Sequence, residues 1–297
     1  MKINWIDTYD IYQRIIAAPD DEARERIYEA SFIQPWQQMM AMVAGPAAAA
    51  DRWAGARNWQ WLLPDQLRQP PSLIVEMAAA SAWATGAAAM QTAVDRFADY
   101  QEQIPIETIE GWLLLADPER ADPINRGYTG AGDFMQPRFV VQYSEANDYN
   151  LPRLGGCIVH EMHHLIRSRV VPWFFPQATV AQYIVHEGLA ESFAAAIYGP
   201  DMVGYYVTEF AEGELATART LLADNLATTG FDLLRSFIFG DHWAKKLGLP
   251  EVGMPAYGGY AIGYRVVQAY LQRTGSSIEA ATFVPADQII ADSAYFA

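Results

Sequence analysis

One cysteine, Cys157, stands among 297 residues. No intramolecular disulfide can form, and no site built from several cysteines can hold zinc or an iron–sulfur cluster. Basic side chains are also scarce, with 20 Lys and Arg against 35 Asp and Glu, a formal net charge of −15. A surface of that sign repels phosphate backbones and anionic bilayers, so neither a nucleic acid nor a membrane is an expected partner. No stretch offers the roughly 20 apolar residues, almost free of charge, that a spanning helix needs. The nearest, Leu73 to Met90, carries Glu76, owes its bulk to alanine, and reads as a buried or amphipathic helix. The N-terminus has no basic region followed by an apolar run, so no secretory signal is expected, and the lone cysteine suits a reducing cytosol. No G-x-S-x-G elbow is present, which argues against a serine hydrolase. Gly127-Tyr128-Thr129-Gly130-Ala131-Gly132 lacks the G-K-[ST] ending of a phosphate loop and reads as a surface turn, placed over a cleft.

The residues that are abundant favour a folded core. Hydrophobic residues make up 52% and charged residues 19%, outside the range of disordered chains. The length suits one large domain or two modest ones. Residues 1 to about 100 read as helical, with Asp7 or Thr8 capping a first helix and Pro19-Asp20-Asp21-Glu22 marking a stop and a new start. Pro35, Pro46, Pro64 and Pro70-Pro71 punctuate the rest of that region. Trp36, Trp53, Trp59 and Trp61 suit core packing better than a sugar platform. Ile104 to Ala116 reads as a buried strand or strand pair, and Phe139-Val140-Val141-Gln142-Tyr143 as another strand. From Pro152 onward helices return. The expected fold class is α+β, mainly helical, with a small sheet. A soft boundary near residue 103 separates a helical N-terminal region, 1–103, from a region 104–297 that holds the chemistry.

Four of the five histidines lie between positions 160 and 186. His160 and His164 are four apart, so on an α-helix they share a face and can reach one ion. Glu161 completes H-E-x-x-H, in which two imidazoles hold zinc and the glutamate is the general base toward a metal-bound water. Leu154, Ile158, Val159, Met162, Leu165 and Ile166 supply the apolar stripe of such a helix, and Arg167 and Arg169 its last turn. His163 falls off the ligand face and suits a supporting or surface role. An ordinary core histidine pair is the competing reading of the five residues alone.

A catalytic zinc needs a third protein ligand and a free position. Arg167 and Val170 stand where the metzincin continuation requires glycine and histidine, which excludes that class. The next candidates lie on a predicted helix from about Thr179 to Tyr198, ended by Gly199-Pro200. Glu187 and Glu191 share one of its faces, among Ile184, Leu189, Ala190 and Phe193. Two buried, unpaired carboxylates would be costly. A metal ion taking Glu187, and a ligand histidine (His160 the leading candidate) donating its ring N–H to Glu191, would explain both. His186 is the rival third ligand.

His160-Glu161-x-x-His164 followed by Glu187-x-x-x-Glu191 resembles the gluzincin zinc peptidases, of which thermolysin is a familiar member. More narrowly, the chain resembles the YjaZ-like predicted Zn-dependent protease family. The residues that carry this are His160-Glu161-Met162-His163-His164, Glu187-Gly188-Leu189-Ala190 and Gly259-Tyr260-Ala261-Ile262-Gly263-Tyr264, with weaker support from Asp7-Thr8-Tyr9-Asp10 and Pro35-Trp36. Thermolysin-like enzymes carry aspartate where this chain has Glu191. The resemblance implies a strand–helix–helix site, in which an edge strand, here Phe139 to Ser144, pairs with an extended peptide. An ordinary core strand is the competing reading of that segment.

Amide hydrolysis also needs a donor for the developing oxyanion. Tyr257, Tyr260 and Tyr264 are spaced along a predicted helix ending near Gly275. The resemblance favours Tyr260, with Gly263 allowing close approach; Tyr264 and His242 are the alternatives. The expected activity is a Zn2+-dependent peptidase acting on peptide or protein substrates, with Glu161 as general base. The alternatives are a binding or regulatory protein with a structural or vestigial zinc site, and a hydrolase of non-peptide amides.

Overall fold

Four short strands form one mixed sheet: β1 (Lys2–Trp5), β2 (Thr108–Leu115), β3 (Tyr128–Asp133) and β4 (Arg138–Tyr143). The computed structural model describes residues 1–45, 50–133, 135–172 and 177–297; Pro46, one of the expected breaks, lies outside them. The strand order is β1-β2-β4-β3, with β1, β2 and β4 parallel and β3 antiparallel to β4. Helices account for most of the remaining structure, so the α+β class holds.

Two expectations about the sheet change. Phe139 to Tyr143 is not an edge but an inner strand, paired on both sides, and Phe139, Val140, Val141 and Tyr143 are buried. The edges are β1 and β3, and β3 is the Tyr128–Asp133 segment that reads from sequence as a surface turn. Gly130 and Gly132 hide its strand character, because glycine has low strand propensity. β1 is likewise hidden inside a region that reads as helical. A strand of four residues is too short for a periodic pattern to show.

Packing groups the chain into two units, Lys2–Thr92 with Thr108–Glu161, and Ala93–Glu107 with Met162–Ala297. Neither is continuous in sequence, and residue 103 falls within the connecting segment Ala93–Glu107. The first unit holds the sheet. The Trp36 ring lies against Trp59, Trp61 and Trp112, with centroids 5.5, 6.2 and 6.0 Å away; of the four expected core tryptophans Trp36 and Trp61 are buried, while Trp53 and Trp59 are half-buried. Asp7 caps the helix Thr8–Ile16 and Asp20 the helix Asp21–Tyr28, each accepting a backbone N–H of the first turn. The stretch Leu73–Met90 is not one helix. It is divided between Ser72–Ala79 and Ala82–Arg96, bent by 53°, with Ser81 at positive φ in the break. Among the described residues no single helix is long and apolar enough to cross a membrane, and only this bent pair passes that test together.

Tyr12, Tyr28 and Tyr143 are buried in the same unit. The Tyr12 hydroxyl accepts the Leu115 N–H at 2.8 Å, and the Tyr143 hydroxyl donates to the Asn150 carbonyl at 3.0 Å. Burial pushes all three phenols above their ordinary value. In the unfolded chain they ionise near pH 10, so above that pH the unfolded state binds fewer protons than the folded state. Stability is therefore expected to fall from about pH 10 upward, by about 1.4 kcal/mol per pH unit for each tyrosine still protonated in the fold. Urea midpoints measured between pH 8 and 11 check this, and Tyr28→Phe should flatten the fall.

The second unit is built on helices. We call Leu154–Val170 the histidine helix, Val180–Tyr198 the glutamate helix and Gly258–Thr274 the tyrosine helix. Residues Leu154–Glu161 of the histidine helix belong to the first unit and Met162–Val170 to the second, and Pro152 sits in the short turn Leu151–Arg153 that leads into the helix. The glutamate and tyrosine helices touch backbone to backbone. A Cβ on Gly188 would sit 2.1 Å from the Gly263 carbonyl oxygen, and one on Gly263 would sit 2.0 Å from that of Ile184. Backbone cannot rotate out of the way as a side chain can. Gly188→Ala and Gly263→Ala are each expected to destabilise the protein by about 3 kcal/mol or more, measurable as a lower urea midpoint at unchanged slope.

Candidate metal centre

His160, Glu161 and His164 lie in the middle of the histidine helix, preceded by the apolar residues Leu154, Ile158 and Val159, which are buried. The positions beside that stripe turn inward as well, and His160 and Glu161 are 5% and 7% exposed. The glutamate helix starts at a reciprocal cap. The Thr179 hydroxyl accepts the Gln182 N–H at 3.1 Å, and the Gln182 side-chain oxygen accepts the Thr179 N–H at 3.0 Å. The helix ends at Gly199, as its sequence predicts. Residues Val180 to Ala194 along it are buried, apart from half-buried Gln182. Glu187 and Glu191 are therefore carboxylates inside a protein interior.

Glu187 answers the cost of that burial on His164, whose Nε2 lies 3.1 Å from Glu187 Oε2. One ligand atom from each of His160, His164 and Glu187 lies within 4.8 Å of the others. Zinc–nitrogen and zinc–oxygen bonds of about 2.0–2.2 Å put tetrahedral ligand atoms roughly 3.4 Å apart. Small side-chain rotations therefore close the three onto one ion, and two imidazoles with one carboxylate are a donor set that zinc accepts. His186 stands outside this set. Its ring stacks on that of His164, with centroids 4.2 Å apart and planes 17° from parallel. Burial, reinforced by the neighbouring His164, lowers its pKa well below the ordinary histidine value.

Other expected residues have these surroundings. Glu191 Oε1 accepts the Gly204 N–H and Oε2 the Tyr206 hydroxyl, both at 2.8 Å. These donors belong to a segment after the glutamate helix that pattern reading does not reach. His163 is fully buried rather than at the surface, with Nε2 3.0 Å from the Thr282 hydroxyl and its ring beside Phe97 and Phe193. Tyr257 is not helical. It precedes the tyrosine helix with φ +58°, a left-handed conformation. Tyr260 lies in the first turn, its ring 5.3 Å from that of Tyr206 and 5.7 Å from that of Tyr257. Tyr264 follows one turn later, its phenol raised by burial and then by the charge of Glu191. His242 packs edge-on to Trp243.

One residue absent from the sequence-derived set bears on the site. Gly130, in the middle of edge strand β3, lies against Glu161; a Cβ there would be 2.3 Å from Glu161 Oε1. The signal that could have found it is a glycine inside an extended run, which marks a close approach of backbone to something else.

A sheet edge against a histidine–glutamate helix, with two imidazoles and a carboxylate converging, is an arrangement suited to metal-dependent hydrolysis. Over residues 82–291 the chain matches the family described as "Predicted Zn-dependent protease (DUF2268)", and it belongs to that family. It is also 26% identical over 294 residues to "Uncharacterized protein YjfC" of Bacillus subtilis (strain 168), an alignment covering 97% of each chain. No solved structure matches it.

Proposed function

We propose that the protein is a zinc metallopeptidase of gluzincin type that hydrolyses peptide bonds in the cytoplasm. The observation that carries this is the convergence of His160, His164 and Glu187 from two helices, with Glu161 beside them on the first. Those three residues would hold Zn2+. When bound, the ion polarises the scissile carbonyl and acidifies water.

Glu161 accepts a proton from the attacking water as its oxygen bonds to the carbonyl carbon. It then delivers that proton to the amine nitrogen as the C–N bond breaks. Tyr260 is the proposed hydrogen-bond donor to the developing oxyanion; its ring packs edge-on to that of Tyr206, whose hydroxyl donates to Glu191. Glu191, held by Gly204 and Tyr206, is the proposed acceptor for the ring N–H of His160.

β3 is an outer strand of the sheet with Gly130 next to Glu161, and a peptide laid along it as a further strand would satisfy its own backbone whatever its side chains. Gly130 is suited to that place because any side chain would meet the Glu161 carboxylate. All these residues lie in 104–297, the region proposed to carry the chemistry. The set converging within 4.8 Å does not include His186, which favours an open catalytic site over a structural one closed by a fourth protein ligand. Metal analysis of the purified protein, with cleavage of a peptide library before and after chelation, tests the reading. Cleavage that persists in metal-free protein would overturn it.

A further inference from the structure

Arg167 follows His164 by three residues, in the last turn of the histidine helix. A guanidinium in that position normally reaches solvent. This one is buried, with 4% of its surface exposed. One of its five N–H groups donates to the Thr282 carbonyl. Among the described residues no carboxylate comes within ion-pair distance of it. Burial pushes its pKa down to about 10, so it stays charged at neutral pH. An enclosed cation without a counter-charge is costly, and proteins rarely keep one without a use for it.

Arg167 faces a cavity of about 100 Å³, lined also by Gln182, His186, Val171, Pro285 and Asp287. The Gln182 side-chain oxygen is already committed to the Thr179 N–H, so its NH2 group is left to serve the cavity. Asp287 is exposed and forms no ion pair with Arg167. The cavity therefore offers the Arg167 charge and the Gln182 donor, with the exposed Asp287 as the one carboxylate on its rim.

We propose that this cavity binds a small monoanion of chloride or carboxylate size, held by the Arg167 guanidinium and the Gln182 amide. Two sources share that chemistry, a free anion from solution and the terminal carboxylate of a peptide. The second rests on the peptidase reading, and the anion site itself does not. The His186 ring that lines the cavity is the one stacked on His164, so occupancy would be felt beside the proposed metal ligands.

The test uses the full chain after chelation, so that anions bound by a metal do not contribute. Thermal midpoints are measured in sodium acetate and in sodium chloride against the sodium salt of HEPES, whose anion offers neither chloride nor a carboxylate, at one ionic strength. The expected result is a saturable rise in Tm of about 3 °C or more. Gln182→Glu keeps an oxygen for the Thr179 N–H but replaces the amide donor with negative charge, and it should abolish the rise. Arg167→Met should abolish it too; if that variant fails to fold, Gln182→Glu carries the test alone.

A short peptide with a free C-terminus is then compared with its amide. A rise for the free acid alone, at lower concentration than acetate, assigns the site to a peptide terminus. Rises for acetate and chloride, with no difference between the peptides, assign it to a free anion. No saturable rise in the wild type, or an equal rise in Gln182→Glu, overturns the proposal.

Discussion

Glu161→Gln is expected to leave metal content unchanged while lowering kcat/KM for a cleaved peptide by about 10²–10⁴-fold. The two side chains have nearly the same volume. The site is tight, since Glu161 is 7% exposed with β3 lying against it, and a near-isosteric change preserves that packing. The charge and the ability to take up a proton are what disappear. His160, His164 and Glu187, the proposed ligands, are untouched, so metal stoichiometry should match the wild type, as should the urea midpoint to within about 1 kcal/mol. Wild-type turnover in this variant, with metal bound, would remove Glu161 from the mechanism.

His164→Ala is expected to lose both metal and activity. Its Nε2 makes the 3.1 Å contact with Glu187, and it belongs to the converging set. Losing a ligand should weaken zinc binding by more than the roughly 10–100-fold seen when an outer hydrogen-bond partner is lost. Glu187→Ala should behave in the same way, since this proposed third ligand comes from a different helix. Metal bound only to the native state stabilises it by mass action. Chelation should therefore lower the wild-type Tm, with no effect on that of His164→Ala. Equal metal content in wild type and His164→Ala after dialysis against weak chelator would place the metal elsewhere.

The parts of this protein that pattern reading reached are those whose logic is local. The helix around His160 and His164 announces itself through its apolar stripe, and the helix bearing Glu187 through Thr179 at its start and Gly199 at its end. The inner strands β2 and β4 announce themselves through runs of β-branched, aromatic and aliphatic residues. The parts that escaped depend on what lies across space. β3 looks like a loop because of Gly130 and Gly132, and the purpose of Gly130 emerges only when Glu161 is seen against it. Tyr257 reads as helical from spacing, yet the turn before the tyrosine helix needs a left-handed residue there.

The amino-acid order by itself determined which side chains could share a helix face, and so the pairing of His160 with His164 and the candidacy of Glu187. Those relations repeat every turn and need no knowledge of neighbours. Only the tertiary structure decided that β3 lies at a sheet edge and β4 inside the sheet, that Gly204 and Tyr206 hold Glu191, and that Arg167 is enclosed beside a cavity. Each of these is a contact between residues that no period connects, fixed by how close-packed elements exclude one another.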